Sequence, residues 1–276
     1  MTTVPARTTA RSGDAVEAAR AQGRAALVGY VPVGFPDVAG SVTAARALVA
    51  GGCDVVELGL PYSDPLMDGP VIEAAVDVAL KAGTRTRDVL ATVEQVAATG
   101  AAVLVMTYWN PVDRYGVDRF AADLASAGGA GLLTPDLIPD EADEWLAASD
   151  AHDLERIFLV APSSTDERLR STAAACRGWV YAASTMGVTG VRSQVGERAQ
   201  GLVERTRAAG ASRVCVGLGV STADQAATVA AYADGVIVGS AFVRTLGDGG
   251  PAAVERLAGE LAAGVRRGRG AEEGGA

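Results

Sequence analysis

Residues 53–70 read CDVVELGLPYSDPLMDGP. The first third is short, apolar and β-branched, and Gly59 and Pro61 close it, which is the pattern of a buried strand. Glu57 sits inside that run, between Val56 and Leu58. A carboxylate in such surroundings has a raised pKa unless it is paired, and it can hold a proton near neutral pH. The strand empties into a Pro/Ser/Asp/Gly loop that carries a second acid, Asp68. Two carboxylates in unlike surroundings form a natural acid–base pair. The plainer reading is a buried Glu satisfied by backbone donors and an Asp that caps a turn.

Outward from this stretch, apolar runs alternate with helical patterns. The runs are 26–31, 55–59, 103–107, 131–134, 157–160, 179–182, 214–217 and 235–238. Amphipathic segments at 42–50, 117–127, 141–148, 167–176, 197–209 and 222–231 separate them. Continuous apolar strands alternating with helices imply a parallel sheet covered by helices. Eight such units predict an α/β fold, a single-domain (β/α)8 TIM barrel over 13–267, with a doubly wound open sheet as the alternative. Residues 1–12 and 268–276 read as disordered tails. In a barrel, active-site groups occupy the C-terminal ends of the strands. Glu57 then ends the second strand and Asp68 lies in the loop that follows, so both can face one pocket.

Composition narrows the chemistry. A formal net charge of −9 argues against nucleic acid or an anionic membrane surface as a partner. No apolar run approaches the ~20 residues that span a bilayer. Residues 1–13 lack the apolar core of a signal peptide. Cys53, Cys176 and Cys215 are far apart among apolar neighbours, and read as reduced core residues of a cytoplasmic protein. No Cys or His cluster suggests a metal. The only histidine, His152, lies in a polar stretch after a helical segment, and the only lysine, Lys81, lies late in a helical pattern. Histidine triads and lysine Schiff bases are therefore disfavoured, which leaves carboxylates to move protons.

The last third of the chain has glycine at successive strand ends: TMGVTG at 185–190, GLGVS at 217–221 and VGSA at 238–241. Glycines let backbone approach an anion, and the N–H groups that open a helix point at it. Barrels often bind phosphate with the loops after strands 7 and 8. Each motif alone is weak, because Gly ends many strands and Ser caps many helices. Residues 185–196 also read as a long loop that could close over a ligand, or as an ordinary surface loop.

The segments ELGLPYSDPLMDGP (57–70), MTYWNP (106–111), PDLIPDE (135–141), FLVAPSS (158–164), GVTG (187–190) and VGSA (238–241) resemble, in order and spacing, those of the tryptophan synthase alpha chain family. The resemblance spans about residues 25–246 and implies a cofactor-free, metal-free barrel lyase. The implied reaction is retro-aldol cleavage of indole-3-glycerol phosphate to indole and glyceraldehyde 3-phosphate. Glu57 then matches the general acid–base, Asp68 the second catalytic carboxylate and Tyr181 a tyrosine beside that glutamate. Tyr30, Met106, Tyr108, Leu133 and Ile237 match the indole side. Gly190, Gly219, Gly239 and Ser240 match the phosphate cradle, and Thr189 a loop residue that meets Asp68 on closure. The resemblance also implies an α2β2 complex with a tryptophan synthase beta chain, pyridoxal phosphate residing on that partner alone, and residues 62–70 and 136–141 facing it. Residues 30–36 and 137–139 depart from the family's commoner wording without touching the two carboxylates. Other phosphosugar barrels usually need a lysine, histidine or cysteine at a strand end. Both carboxylates are present, which argues against a silent subunit that only activates its partner.

Overall fold

The computed structural model describes residues 9–184, 192–217 and 219–268. Nine parallel strand segments form one sheet: β1 (Ala26–Pro32), β2 (Val55–Gly59), β3 (Ala102–Met106), β4 (Gly131–Leu133), β5 (Glu155–Ile157), β6 (Leu159–Val160), β7 (Val180–Ala183), β8 (Val214–Gly217) and β9 (Gly235–Val238). The order across the sheet is β5-β4-β3-β2-β1-β9-β8-β7-β6. Its two ends, β5 and β6, are one chain segment divided at Phe158, so the sheet curls into a (β/α)8 barrel. The run at 157–160 was expected to be one strand. It divides at Phe158, whose N–H leaves the ladder to donate to Cys176 Sγ at 3.4 Å while its carbonyl accepts from Tyr181 N at 3.1 Å in the pairing with β7.

The two-residue period of a strand sorts side chains onto two faces. Val56, Leu58, Val103 and Val105 point out and pack under the helices. Val28, Val55, Leu104, Leu133, Cys215 and Ile237 point in and fill the barrel. The same alternation sends Glu57 inward, two positions on from Val55, and Tyr30 inward, two positions on from Val28.

Helices follow the strands: α2 (Val38–Ala50), α3 (Pro70–Lys81), α4 (Thr86–Ala97), α5 (Trp109–Tyr115), α6 (Val117–Ser126), α7 (Asp143–Ala151), α8 (Asp166–Ala175), α9 (Arg192–Ala208), α10 (Ala223–Ala230) and α11 (Ser240–Gly268), with α1 (Ser12–Ala21) before β1. α11 is kinked at Gly250, whose backbone is non-helical. α1, α4 and α5 had no counterpart in the sequence reading. α9 begins at Arg192, inside the segment 185–196 that was read as loop.

α1 closes the lower mouth of the barrel, with Val16 and Ala19 against Trp179 and Ile157. Its N-terminus is held by a distant acid. Glu155 accepts from Ser12 N at 2.8 Å, Ser12 Oγ at 2.6 Å and Gly13 N at 2.8 Å. Trp179 Nε1 donates to the same Ser12 hydroxyl at 2.9 Å. A carboxylate at a helix N-terminus satisfies free N–H groups and opposes the helix dipole favourably. Ser12, read as part of a tail, is fully buried, and at the other end α11 runs to Gly268.

Candidate active site

Glu57 lies on β2 with 1% of its surface exposed. Its Oε1 is buried without a hydrogen-bond partner. Burial raises its pKa to about 8, because the charged form loses solvation and gains nothing in return. The plainer alternative, a carboxylate satisfied by backbone donors, therefore fails. A buried acid that is protonated near neutral pH and has a free oxygen is equipped to give and retake a proton.

Asp68 occupies the loop between β2 and α3, half-buried. Its Oδ1 accepts from the Tyr108 hydroxyl at 3.3 Å. Its pKa is raised by burial, held back by the Tyr108 bond and pushed further up by the Glu73 charge. Tyr108 organises this loop: its hydroxyl accepts from Leu66 N at 3.1 Å and Met67 N at 2.9 Å. The Tyr62 ring packs on it with centroids 5.3 Å apart. Trp109 N, next in the chain, donates to both oxygens of Asp136 at 2.9 and 3.1 Å. The segments 62–70, 106–111 and 135–141 are thus tied together at the upper rim. A small cleft opens there, lined by Tyr30, Leu60, Asp68, Met106, Thr107 and Tyr108 among others.

Two tyrosines flank Glu57. Tyr30 on β1 is its direct register partner, and its hydroxyl lies against Gly59, the last residue of β2. Tyr181 on β7 lies against Gly217, the last residue of β8. Both phenols feel the Glu57 charge after the larger effect of burial, which keeps them protonated. Leu133, Ile237, Met106 and Tyr181 share the barrel's inner cluster. These four side chains come from β3, β4, β7 and β9.

The pairing Gly217↔Ile237 aligns the upper ends of β8 and β9. Gly219 and Gly239 follow on the same rim. Gly219 has φ +67°, a left-handed conformation that a side chain resists. Ser240 opens α11, so backbone N–H groups emerge next to Gly239. Gly190 and Thr189 lie outside the described residues.

Other expectations settle simply. His152 ends α7, with Nε2 3.1 Å from Asp118 Oδ1. Lys81 pairs with Asp77 on the exposed face of α3. The three cysteines are free, and burial raises each thiol's pKa, that of Cys176 to about 12. Sequence reasoning missed Thr107, whose buried hydroxyl has no partner, and the paired roles of Gly59 and Gly217. The available signal was a glycine at an inward-facing strand end.

Comparison with known proteins agrees with this geometry. The profile of the family described as "Tryptophan synthase alpha chain" matches residues 16–265. The chain is 64% identical over 258 residues to the tryptophan synthase alpha chain of Acidothermus cellulolyticus, covering 92% of this chain and 97% of that one. It is 60% identical over 265 residues to that of Mycobacterium marinum, covering 96% and 98%. It superposes on a chain of Mycobacterium tuberculosis tryptophan synthase with a TM-score of 0.88 at 59% identity, covering 94% and 99%. The Legionella pneumophila alpha chain gives a TM-score of 0.82 at 30% identity, covering 95% and 98%. The chain belongs to the tryptophan synthase alpha chain family, and it is a lyase that cleaves indole-3-glycerol phosphate in tryptophan biosynthesis.

Proposed function

We propose that Glu57 and Asp68 carry this cleavage. Glu57 gives its proton to C3 of the indole ring, and the positive charge that develops spreads to the ring nitrogen. Asp68, ionised, accepts from the indole N–H and stabilises that cation. Glu57, now a carboxylate, takes the proton from the glycerol hydroxyl on the carbon bonded to C3. The O–H electrons become the aldehyde carbonyl, the carbon–carbon bond breaks and its electron pair restores the aromatic ring. Glu57 ends protonated, as it began. Tyr181 borders Glu57 and fixes the space in which the two transfers occur. Met106, Tyr108, Leu133 and Ile237 hold the ring, with Tyr30 between ring and phosphate. Gly219, Gly239 and Ser240, with Gly190 and Thr189, bind the phosphate and complete closure. This chain needs no cofactor or metal for the reaction.

The partner in this reading is a tryptophan synthase beta chain in an α2β2 assembly, with pyridoxal phosphate on the beta chain, in the cytoplasm. Among the described residues no helix is long and apolar enough to cross a membrane. Leu66 and Met67, on the loop that carries Asp68, are 78% and 54% exposed, and apolar side chains on a rim suit a docking surface.

The observation that carries the assignment is the buried Glu57 inside the barrel, its Oε1 without a hydrogen-bond partner. The decisive experiment measures indole release by the purified chain with and without beta chain. Glu57→Gln should lose about 10²–10⁴-fold in kcat while still binding substrate. Near-normal turnover by that variant would remove Glu57 from the mechanism.

A further inference from the structure

Tyr30 is placed between the two halves of the site. Its ring edge, Cδ1, comes within 3.5 Å of where a methyl group on Gly239 would be, beside Ile72 of α3. Its hydroxyl reaches the opposite way: a methyl group on Gly59 would meet that oxygen at 2.3 Å. The ring therefore spans from Gly239, at the start of α11, to Gly59, at the end of β2. It is 7% exposed and lines the same cleft as Asp68 and Tyr108.

Asp68 is under-supported for its role. Among the described residues its one side-chain donor is Tyr108, at a long 3.3 Å, while burial and the nearby Glu73 favour its neutral form. A carboxylate that must stabilise a cation has to be ionised when substrate is bound. We propose that the Tyr30 hydroxyl is the missing support: a positioning group that donates a hydrogen bond to the Asp68 carboxylate when substrate is bound. The inference rests on Asp68 acting as the ionised partner of the indole N–H.

Three observations support it. Tyr30 has no hydrogen-bond partner among the described residues, so its proton is available. Asp68 and then Glu57 are the charges that act on the phenol most strongly after burial, with Tyr108 next. Burial keeps the phenol neutral, and a neutral phenol donates. The titratable groups around Asp68 are Tyr30 on β1, Glu57 on β2, Glu73 on α3 and Tyr108 at the head of α5. Glu73 cannot donate while it is charged, and the Glu57 proton is the one given to the substrate's C3, which leaves the two tyrosines as donors to an ionised Asp68.

Tyr30→Phe removes the oxygen and keeps the ring, so packing against Gly59 and Gly239 is preserved. The experiment is the pH profile of kcat for indole release at saturating substrate, with saturating beta chain. Removing a donor from a carboxylate raises its pKa, so activity should begin to fall at higher pH as the solution is acidified. The acid limb should move up by about one pH unit. At a pH well below the limb, kcat should drop about tenfold relative to the parent protein, and the loss should shrink as the pH rises to the plateau. Superimposable profiles overturn the inference. So does an equal loss at every pH, which would mean that the hydroxyl only packs. Asp68→Asn, measured alongside, separates the two levels. If it keeps full activity, the assignment of Asp68 itself fails. If it is crippled and Tyr30→Phe is normal, only the Tyr30 inference falls.

Discussion

The hydroxyl of Tyr181 lies so close to Gly217 that a methyl group on the glycine would stand 2.2 Å from it, with two ring carbons at 2.7 and 2.8 Å. Gly217↔Ala183 and Cys215↔Tyr181 are register pairs of β7 and β8, so neither strand can shift to make room. Gly217→Ala must instead rotate Tyr181 toward Glu57 and the substrate space. Overpacking of this kind costs about 1–3 kcal/mol. The expected result is a modest loss in thermal stability with a loss in kcat of tenfold or more. A variant with parental kcat would mean that the ring has room elsewhere.

Glu57 also sets a pH dependence of stability. Its folded pKa, about 8, stands above the usual value of 4.5. The folded state thus binds the proton more tightly than the unfolded chain between those values, and stability falls as pH rises from about 4.5 to about 8. Glu57→Gln removes this dependence. The two proteins should melt together below about pH 4.5, and the variant should be the more stable above pH 8, by on the order of 5 kcal/mol at most. Calorimetry at both ends checks the sign, and equal melting temperatures at high pH would contradict the buried, unpaired placement.

At the lower mouth, Glu155 and Ser12 act on stability and not on chemistry. Glu155→Gln weakens the hold on two backbone N–H groups and the Ser12 hydroxyl. Hydrogen bonds to a charged group contribute about 1.5–3 kcal/mol each, and part of that is lost. A net loss of about 2 kcal/mol lowers the melting temperature of a chain of this size by about 4–8 °C. The rate of indole release at 25 °C should stay unchanged. A large kcat effect would show that the lower mouth communicates with the site.

Ser240→Asp places a carboxylate at the first turn of α11. Like-charge repulsion with the substrate phosphate should raise KM for indole-3-glycerol phosphate at least tenfold. The beta chain's own turnover of free indole with serine should change far less. An unaltered KM would move the phosphate away from this helix.

Much of the barrel was legible because each strand is apolar on both faces, and Glu57 stood out as the one acid inside such a run. Asp68 was legible from its loop. The rest depends on contacts without a local pattern. Glu155 reads as a polar strand start, and its partner Ser12 is 143 residues away. α1 does carry a signal, with Asp14 in its first turn, Arg20 in its last and Gly23 beyond, but its apolar face is too narrow to show without the barrel it plugs. The tyrosine–glycine contacts join residues on neighbouring strands whose register only the closed sheet defines. At the break, the Phe158 N–H donates to a cysteine 18 residues further on.

The Ser12–Glu155 cap has a consequence for a chain made from its N-terminus. At ribosomal speeds of about 5–20 residues per second, roughly 7 to 30 seconds separate the emergence of α1 from that of the acid that anchors it. Trp179, which completes the cap, comes later still. Throughout that interval Val16 and Ala19 have no finished surface to rest on, and the growing sheet has an open edge. Nascent chains stalled before residue 155 should therefore expose α1 to proteases and chaperones, whereas chains extended beyond Trp179 can bury it.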